Sequence, residues 1–317
     1  MIPTANSCNH DLQELRPLLA ADAAGLIARE EARYTHQIGV AADTIADAAE
    51  GVLFVWMCGP SSVGKTTTAR RLCAALENRG VQAFTVSLDD FYRGRRDAPL
   101  LADGNYDYES PLALNLPQLH RCLTQLATTG ETDLPRYDFE AGEPSDRLTH
   151  LHITGRTAVI FEGIQAFSPL LTDGLGELPV PSLRLFINTR TRFTDGDTLL
   201  LCRRDIRLIR RLLRDERTRA TSFADTMTMW QKVLAGDERH IFPYSDSAEL
   251  LIDTALGYEP CVTAPLILDK LQTLYGTPFE ATARRLQHAL AQFPALSQDS
   301  VPADSILREF IGNPCTF

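Results

Sequence analysis

The sequence predicts an α/β protein with three layers, in which helices cover both faces of a parallel sheet of about five strands. Short apolar runs alternate with helical segments along residues 51–275, a pattern typical of parallel sheets. A glycine-containing loop joins the first apolar run to a helical segment. We therefore predict a main domain at 51–275 with a helical lid at about 190–240, an N-terminal helical extension at 1–50 and a C-terminal helical extension at 276–317.

Composition narrows the functional classes. The chain has 317 residues, which is enough for one large α/β domain with appendages or for two modest domains, and 44% of them are hydrophobic, as in an ordinary globular protein. Its formal net charge of −10 argues against a nucleic-acid interface, which needs a basic face. No apolar stretch reaches the roughly 18 residues of a membrane span. The seven cysteines are widely spaced and form no C-x-x-C, so we expect a reducing compartment, the cytoplasm.

The expected elements follow from hydrophobic periodicity. Strands are predicted at residues 52–57, 81–88, 158–161, 183–187 and 249–252. Helices are predicted at residues 13–50, 69–79, 116–126 and 199–217, and near 264–274, 279–291 and 305–310. The segments 168–182 and 295–303 are rich in Pro, Gly and Ser, so we expect exposed connections there.

The strongest motif is a phosphate-binding loop. Residues 59–66 match G-x-x-x-x-G-K-[ST], the signature of P-loop NTPases. The two glycines let successive N–H groups point inward, and the following helix adds its N-terminal partial positive charge. Lys65 can bridge two phosphates, and the Thr66 hydroxyl is a hard ligand for Mg²⁺. The predicted contacts to ATP are Gly59, Ser61, Ser62, Val63, Gly64, Lys65, Thr66 and Thr67.

Two carboxylates follow predicted strands at the end where ligands bind in open α/β sheets. Asp89 comes after the second strand, where it can accept a proton from an attacking hydroxyl or help to hold Mg²⁺. Glu162 follows the next buried strand, a usual place for an acidic partner of the metal. The alternatives are a solvated turn that caps a helix for Asp89, and a strand-end carboxylate in water for Glu162.

Four arginines recur at helical spacing in the predicted lid and share one helix face. They are Arg203, Arg207, Arg210 and Arg214. Such a face can neutralise charge on a transferring phosphoryl group. The alternative is a solvated basic face, paired with the neighbouring Asp205, Asp215 and Glu216.

Taken in order, these motifs resemble the uridine kinase–phosphoribulokinase family, and within it a bacterial group of uridine kinase-like nucleoside kinases. The resemblance covers about residues 51–258 and reappears at 301–312. Besides the phosphate loop it is carried by the segments 88–93, 105–108, 135–139, 161–164, 205–215 and 241–244.

The resemblance implies roles for the matching positions. Asp89 is similar to the family's catalytic base, and Thr66, Asp89 and Glu162 to its Mg²⁺ environment. Asp107 resembles the carboxylate that grips ribose hydroxyls. Tyr137 and Phe139 resemble aromatics around the base, where the alternative is ordinary core packing. The resemblance also implies catalytic roles for Lys65, Arg207 and Arg210. It implies that Arg214 binds ATP and that Tyr92 and Arg207 bind the acceptor.

The sequence thus predicts a kinase that transfers the γ-phosphoryl group of ATP, with Mg²⁺, to a hydroxyl of a small acceptor, with a nucleoside expected. The family's uridine–cytidine kinases place a His shortly after the Tyr-x-Phe, whereas residues 140–144 here contain none. Two alternatives stay open: a kinase of a sugar phosphate, glycerate or pantothenate-like alcohol, and a nucleotide-binding regulatory protein. We expect no nucleic-acid or membrane partner, and homo-oligomerisation stays open.

Overall fold

The computed structural model describes residues 9–172 and 180–312. The first part of the chain contains β1 (Asn9–Asp11), α1 (Leu12–Ala48), β2 (Val52–Cys58), α2 (Lys65–Glu77), β3 (Gln82–Ser87), α3 (Leu116–Thr129), β4 (Glu131–Asp138), β5 (Glu143–His152), β6 (Thr157–Gly163) and α4 (Pro169–Thr172). The second part contains β7 (Ser182–Asn188), β8 (Arg192–Asp195), β9 (Thr198–Leu201), α5 (Arg203–Arg219), α6 (Phe223–His240), β10 (Leu250–Asp253), α7 (Glu259–Ile267), α8 (Glu280–Leu290) and α9 (Arg308–Ile311).

Five strands form the central sheet in the order β10-β7-β2-β6-β3, and every neighbouring pair is parallel. β2 lies in the middle, and all seven residues of β6 are buried, as expected of apolar strands covered on both faces. Because the strands are parallel, their carboxyl ends meet at one edge of the sheet. The predicted five-stranded parallel sheet is confirmed.

Alternate residues of β2 point into two separate hydrophobic cores. Leu53, Val55 and Met57 pack with helices that include α1, α2 and α5, whereas Phe54 and Trp56 pack with α3 on the opposite face. This alternation follows from the two-residue period of a strand. Helices therefore cover both faces, and the three-layer architecture is confirmed.

The helix predicted at residues 13–50 is α1, which begins where Asp11 accepts a hydrogen bond from Gln13 N. Asp22 interrupts it with a non-helical backbone conformation. Just before α1, the unpredicted β1 pairs in parallel with β8. Together with β9 it forms a second sheet of three strands.

The helix predicted at 199–217 is wrong at its start. Leu199 to Leu201 belong to β9, which pairs with β8, and α5 begins only at Arg203. Asp205 fixes this start because its carboxylate accepts a hydrogen bond from Cys202 N at 2.9 Å. The segment from residue 192 to residue 201 within the predicted lid is therefore a hairpin rather than a helix.

The hairpin of β4 and β5 was also unpredicted. Its strands pair antiparallel, with a register shift between Leu134 and Arg136. Asp90 anchors the hairpin to the main domain, since its carboxylate accepts hydrogen bonds from Arg136 Nη1 at 3.1 Å and Tyr137 N at 3.2 Å. The hairpin therefore brings Tyr137 next to the turn that follows β3.

In the C-terminal part, helices α7, α8 and α9 lie near the predicted positions, and a 3-10 helix covers Lys270–Leu274. The predicted connection at 168–182 lies partly outside the described residues. No helix in the described part of the chain is long and apolar enough to span a bilayer.

Candidate active site

The phosphate loop lies between β2 and α2 at the carboxyl edge of the sheet, as its motif requires. Gly64 adopts a φ of 87°, which L side chains rarely adopt. A Cβ on Gly59 would lie 2.2 Å from Ile187 O, and one on Gly64 would lie 2.4 Å from Ile306 Cδ1. Both glycines are therefore needed by the local packing, in addition to any role in binding phosphate.

Lys65 and the two predicted carboxylates belong to one electrostatic cluster. Ser87, opposite Glu162 in the β3–β6 register, donates a hydrogen bond to Glu162 Oε1 at 3.0 Å. Burial raises the pKa of Glu162, and the charge of Lys65 opposes this shift. Burial also raises the pKa of Asp89, again opposed by Lys65. The structure thus places these three residues near one another.

The predicted Mg²⁺ set is Thr66, Asp89 and Glu162, one hydroxyl and two carboxylates. Thr66 is exposed at the start of α2, and Glu162 is 7% exposed at the end of β6. Among the described residues, no group of three or more His, Cys, Asp or Glu side chains could hold a metal. These donors fit Mg²⁺, which usually takes one or two carboxylates and completes its shell with phosphates and water.

Two arginines of α5 donate hydrogen bonds to Ser61 of the phosphate loop. Arg207 Nε donates to Ser61 O at 3.0 Å, and Arg211 Nη1 donates to Ser61 Oγ at 2.9 Å. Arg207 is also bound to Asp237 Oδ2 of α6 at 2.7 Å. Arg211 was not among the predicted residues, although its position four residues after Arg207 places it on the same face of the helix.

Arg210 differs from the expected lid arginine. It is 0% exposed, and its guanidinium makes a bidentate pair with Glu259 at 2.6 and 2.7 Å. It also donates to Val63 O in the phosphate loop at 3.4 Å and to Thr254 O at 2.8 Å. With these partners Arg210 braces the loop, and it is not free to reach a phosphoryl group.

Arg203 and Arg214 lie at two other positions on α5. Arg203 is exposed near the helix start, and Arg214 donates from Nη2 to Asp215 Oδ1 at 2.8 Å. Arg207, Arg210 and Arg211 are therefore the α5 arginines that bond to the loop backbone or side chains in the described structure.

Asp107 faces the end of α6. Its Oδ2 lies 3.5 Å from Arg239 Nη1 and 3.3 Å from His240 Nε2. Asp107 is only 8% exposed. Asp107, the carboxylate predicted to bind ribose hydroxyls, therefore connects the loop around residue 107 to α6 through Arg239 and His240.

A second carboxylate of this loop, Glu109, was missed. Its Oε2 is buried and has no hydrogen-bond partner among the residues that the structure describes. Burial and the nearby charge of Asp237 raise the pKa of Glu109 to about 7, against the charges of Arg211 and Lys65. The sequence shows a carboxylate two positions after Asp107, but no sequence signal reveals that it is buried against Gly236 of α6.

Aromatic side chains continue from the Asp89 turn to the hairpin tip. The rings of Tyr92 and Tyr137 are 5.9 Å apart, and those of Tyr137 and Phe139 are 5.0 Å apart. The Tyr92 hydroxyl donates to Tyr108 O at 2.9 Å and accepts from Gln165 Nε2 at 3.0 Å. Phe139 is 59% exposed, so the row ends in an apolar surface open to a ligand.

The fold and this loop define a class: a P-loop protein with the three-layer architecture of small-molecule kinases. Residues 54–171 match the family described as Phosphoribulokinase / Uridine kinase. The chain is 31% identical over 165 residues to a uridine kinase of Deinococcus deserti, covering 52% of this chain and 69% of that protein. The chain belongs to the phosphoribulokinase/uridine kinase family, a family of ATP-dependent kinases.

A more distant relative and two solved structures also match the chain. The uridine kinase of Halobacterium salinarum is 24% identical over 220 residues, covering 69% of this chain and 86% of that protein. The solved structure of a possible uridine kinase from Bacillus stearothermophilus covers 69% of this chain and 98% of its own, at 18% identity and a TM-score of 0.44. A D-glycerate 3-kinase from Cryptococcus neoformans covers 89% of both chains, at 17% identity and a TM-score of 0.30. At TM-scores below 0.5, neither structural likeness bears on the acceptor.

Proposed function

We propose that this protein transfers the γ-phosphoryl group of ATP to a hydroxyl of a nucleoside. The observation that carries the proposal is the cluster of Lys65, Asp89 and Glu162 at the carboxyl ends of adjacent strands. A kinase needs a cation on the phosphates, an acid partner for Mg²⁺ and a carboxylate for the acceptor proton. Each of these is present beside the phosphate loop.

The proposed mechanism assigns a task to each group. Residues 59–67 bind the ATP phosphates. Thr66, Asp89 and Glu162 would hold Mg²⁺, which would neutralise charge on the transferring phosphoryl group. Asp89 orients the acceptor hydroxyl and accepts its proton. Its raised pKa, caused by burial, makes it a better proton acceptor than a solvated carboxylate.

The aromatic row supports a nucleoside acceptor. Tyr92, Tyr137 and Phe139 offer ring faces on which a base can stack. Asp107 and Glu109 stand close in the same loop, and both are polar groups able to accept hydrogen bonds from hydroxyls. A phosphorylated acceptor would instead meet the carboxylates of Asp89 and Glu109, which repel it.

A turnover screen tests the proposal. Conversion of ATP to ADP with Mg²⁺ is measured over nucleosides, sugar phosphates, glycerate and pantothenate-like alcohols, with Lys65→Ala as the blank. Turnover with nucleosides alone supports the proposal. Turnover only with another alcohol keeps the chemistry and replaces the acceptor. ATP binding without turnover on any acceptor favours the regulatory alternative.

A further inference from the structure

The C-terminal segment, residues 301–312, lies against the phosphate loop although the family match ends at residue 171. Thr67 Oγ1 donates a hydrogen bond to Glu309 Oε2 at 2.5 Å, across a separation of 242 residues. The Ile306 side chain fills the space beside Gly64. The segment therefore touches two of the residues that were predicted to bind ATP.

Buried contacts hold the segment in this place. Phe310 is 0% exposed, and the Arg210 guanidinium lies over its ring, with Cζ 4.7 Å from the ring centroid. Ser305 Oγ lies 3.2 Å from the Tyr258 hydroxyl, and Arg217 Nη2 donates to Glu309 O at 2.8 Å. Since Arg210 also braces the loop through Val63, the segment and the loop share one packed support.

The Glu309 carboxylate occupies a position suited to a phosphate. It sits at the N-terminal turn of α2, where unpaired N–H groups and the helix dipole favour an anion. Its contact with a hydroxyl is a charge-assisted hydrogen bond, which is stronger than a neutral one. A polyphosphate that uses the Thr67 hydroxyl meets both an occupied donor and a like charge.

The influence of Glu309 extends across the loop. Burial, together with the charges of Asp89 and Glu309, raises the pKa of Glu162. The carboxylate of the C-terminal segment thus adds negative charge to a cluster that already contains two carboxylates. The positive charge of Lys65 opposes this effect at both Asp89 and Glu162, and the charge of Arg219 opposes it at Asp89.

We propose that residues 301–312 form a wall of the nucleotide site, and that Glu309 sets nucleotide affinity by competing with a nucleotide phosphate for the Thr67 hydroxyl. This inference rests on the proposed function, because it assumes that the loop binds ATP. In the nucleotide-free chain Glu309 holds the start of α2; when ATP binds, the carboxylate leaves Thr67.

The test measures binding rather than turnover. The dissociation constant of Mg²⁺–ATP is determined by calorimetry, without acceptor, for the full chain and for Glu309→Gln. The amide can still accept the Thr67 hydrogen bond but carries no charge, so we expect about tenfold tighter binding. Unchanged or weaker binding by Glu309→Gln overturns the proposal.

Two further variants sharpen the test. Glu309→Asp keeps the charge but shortens the side chain by one methylene, so the contact with Thr67 is lost and tighter binding is again expected. If Glu309→Gln does not fold, this variant decides, and unchanged binding overturns the proposal. Asp304→Asn is the matched control, because it removes a charge from an exposed side chain of the same segment, 3.9 Å from Arg71. It should bind ATP like the unchanged chain.

The outcomes separate this inference from the proposed function. If the unchanged chain and Glu309→Gln bind ATP equally, only the competition is refuted and the kinase proposal stands. If neither binds ATP, both are refuted. If binding tightens as expected but no acceptor is turned over, the competition is supported and the kinase proposal fails.

Discussion

Asp89 is the residue on which the proposed chemistry most directly depends. We expect Asp89→Asn to lower kcat by about 10²- to 10⁴-fold, because an amide cannot accept the proton of the attacking hydroxyl. ATP should still bind. Steady-state kinetics and calorimetry check these two expectations. Full turnover by Asp89→Asn would refute the assignment of the base.

Asp90 provides the neighbouring control. Its carboxylate accepts hydrogen bonds from Arg136 and Tyr137 N, so it positions the hairpin. Asp90→Asn should therefore raise the KM for the acceptor more than it lowers kcat. The opposite pattern would show that the two carboxylates had been assigned the wrong way round.

Glu109 should make stability depend on pH. Its pKa rises from the usual 4.5 to about 7 in the folded chain, through burial and the charge of Asp237. Between these values the folded state binds more protons than the unfolded state, so stability falls as pH rises. Glu109→Gln removes this effect. The Tm of the variant minus the Tm of the unchanged chain should therefore increase as pH rises from about 5.5 to about 7.

Thermal unfolding at several pH values measures that gain, which should level off above the pKa of about 7. The charged groups that act on Glu109 are Asp237, Arg211, Lys65 and Asp89. A Tm difference that stays constant across this range would mean that Glu109 is ionised like a solvated carboxylate.

At the residue scale, the sequence predicts the phosphate loop but not the tertiary contacts of the side chains around it. The spacing of Gly59, Gly64 and Lys65 predicts the loop because backbone geometry and phosphate chemistry both constrain it. By contrast, the sequence could not show that Arg210 pairs with Glu259, because that contact spans 49 residues and depends on how α5 packs. The buried, unpaired oxygen of Glu109 is likewise a product of tertiary packing.

At the scale of elements, the hairpin of β4 and β5 should carry acceptor affinity. We expect Tyr137→Ala to raise the KM of a nucleoside acceptor by about tenfold, since stacking of a base on an aromatic ring contributes about 1–3 kcal/mol. The KM of ATP should stay the same. Leu148→Ala is the control, because Leu148 lies in β5 of the same hairpin and is 58% exposed.

The elements also differ in how well the sequence predicts them. The five strands of the central sheet are short apolar runs, the pattern expected of strands that are buried on both faces, so the sequence predicts them directly. The β4–β5 hairpin has mostly exposed side chains on β5 and no such pattern. β1 has three residues and is a strand only because β8 lies beside it, a partner 183 residues away in the Asn9–Arg192 pair.

For the whole molecule, ATP should stabilise the fold. A ligand that binds only the native state at about one hundred times its Kd adds roughly 2.7 kcal/mol. For a chain of this size that corresponds to a rise in Tm of several degrees. Scanning calorimetry with and without Mg²⁺–ATP measures the shift. Lys65→Ala should largely abolish it, and removing Mg²⁺ with a chelator should reduce it.

The contact between Thr67 and Glu309 has a consequence for how the protein is made. The two residues are 242 positions apart. Glu259, whose pair with Arg210 helps to hold the loop, precedes Glu309 by about 50 residues, so at translation rates of about 5–20 residues per second the supported loop exists for about 2 to 10 s before its cover is synthesised. During that time Gly64 and the start of α2 lack Ile306 and Glu309. A nascent chain could therefore bind ATP before its C-terminal segment is synthesised. The bound nucleotide would then stabilise the phosphate loop before this segment packs against it.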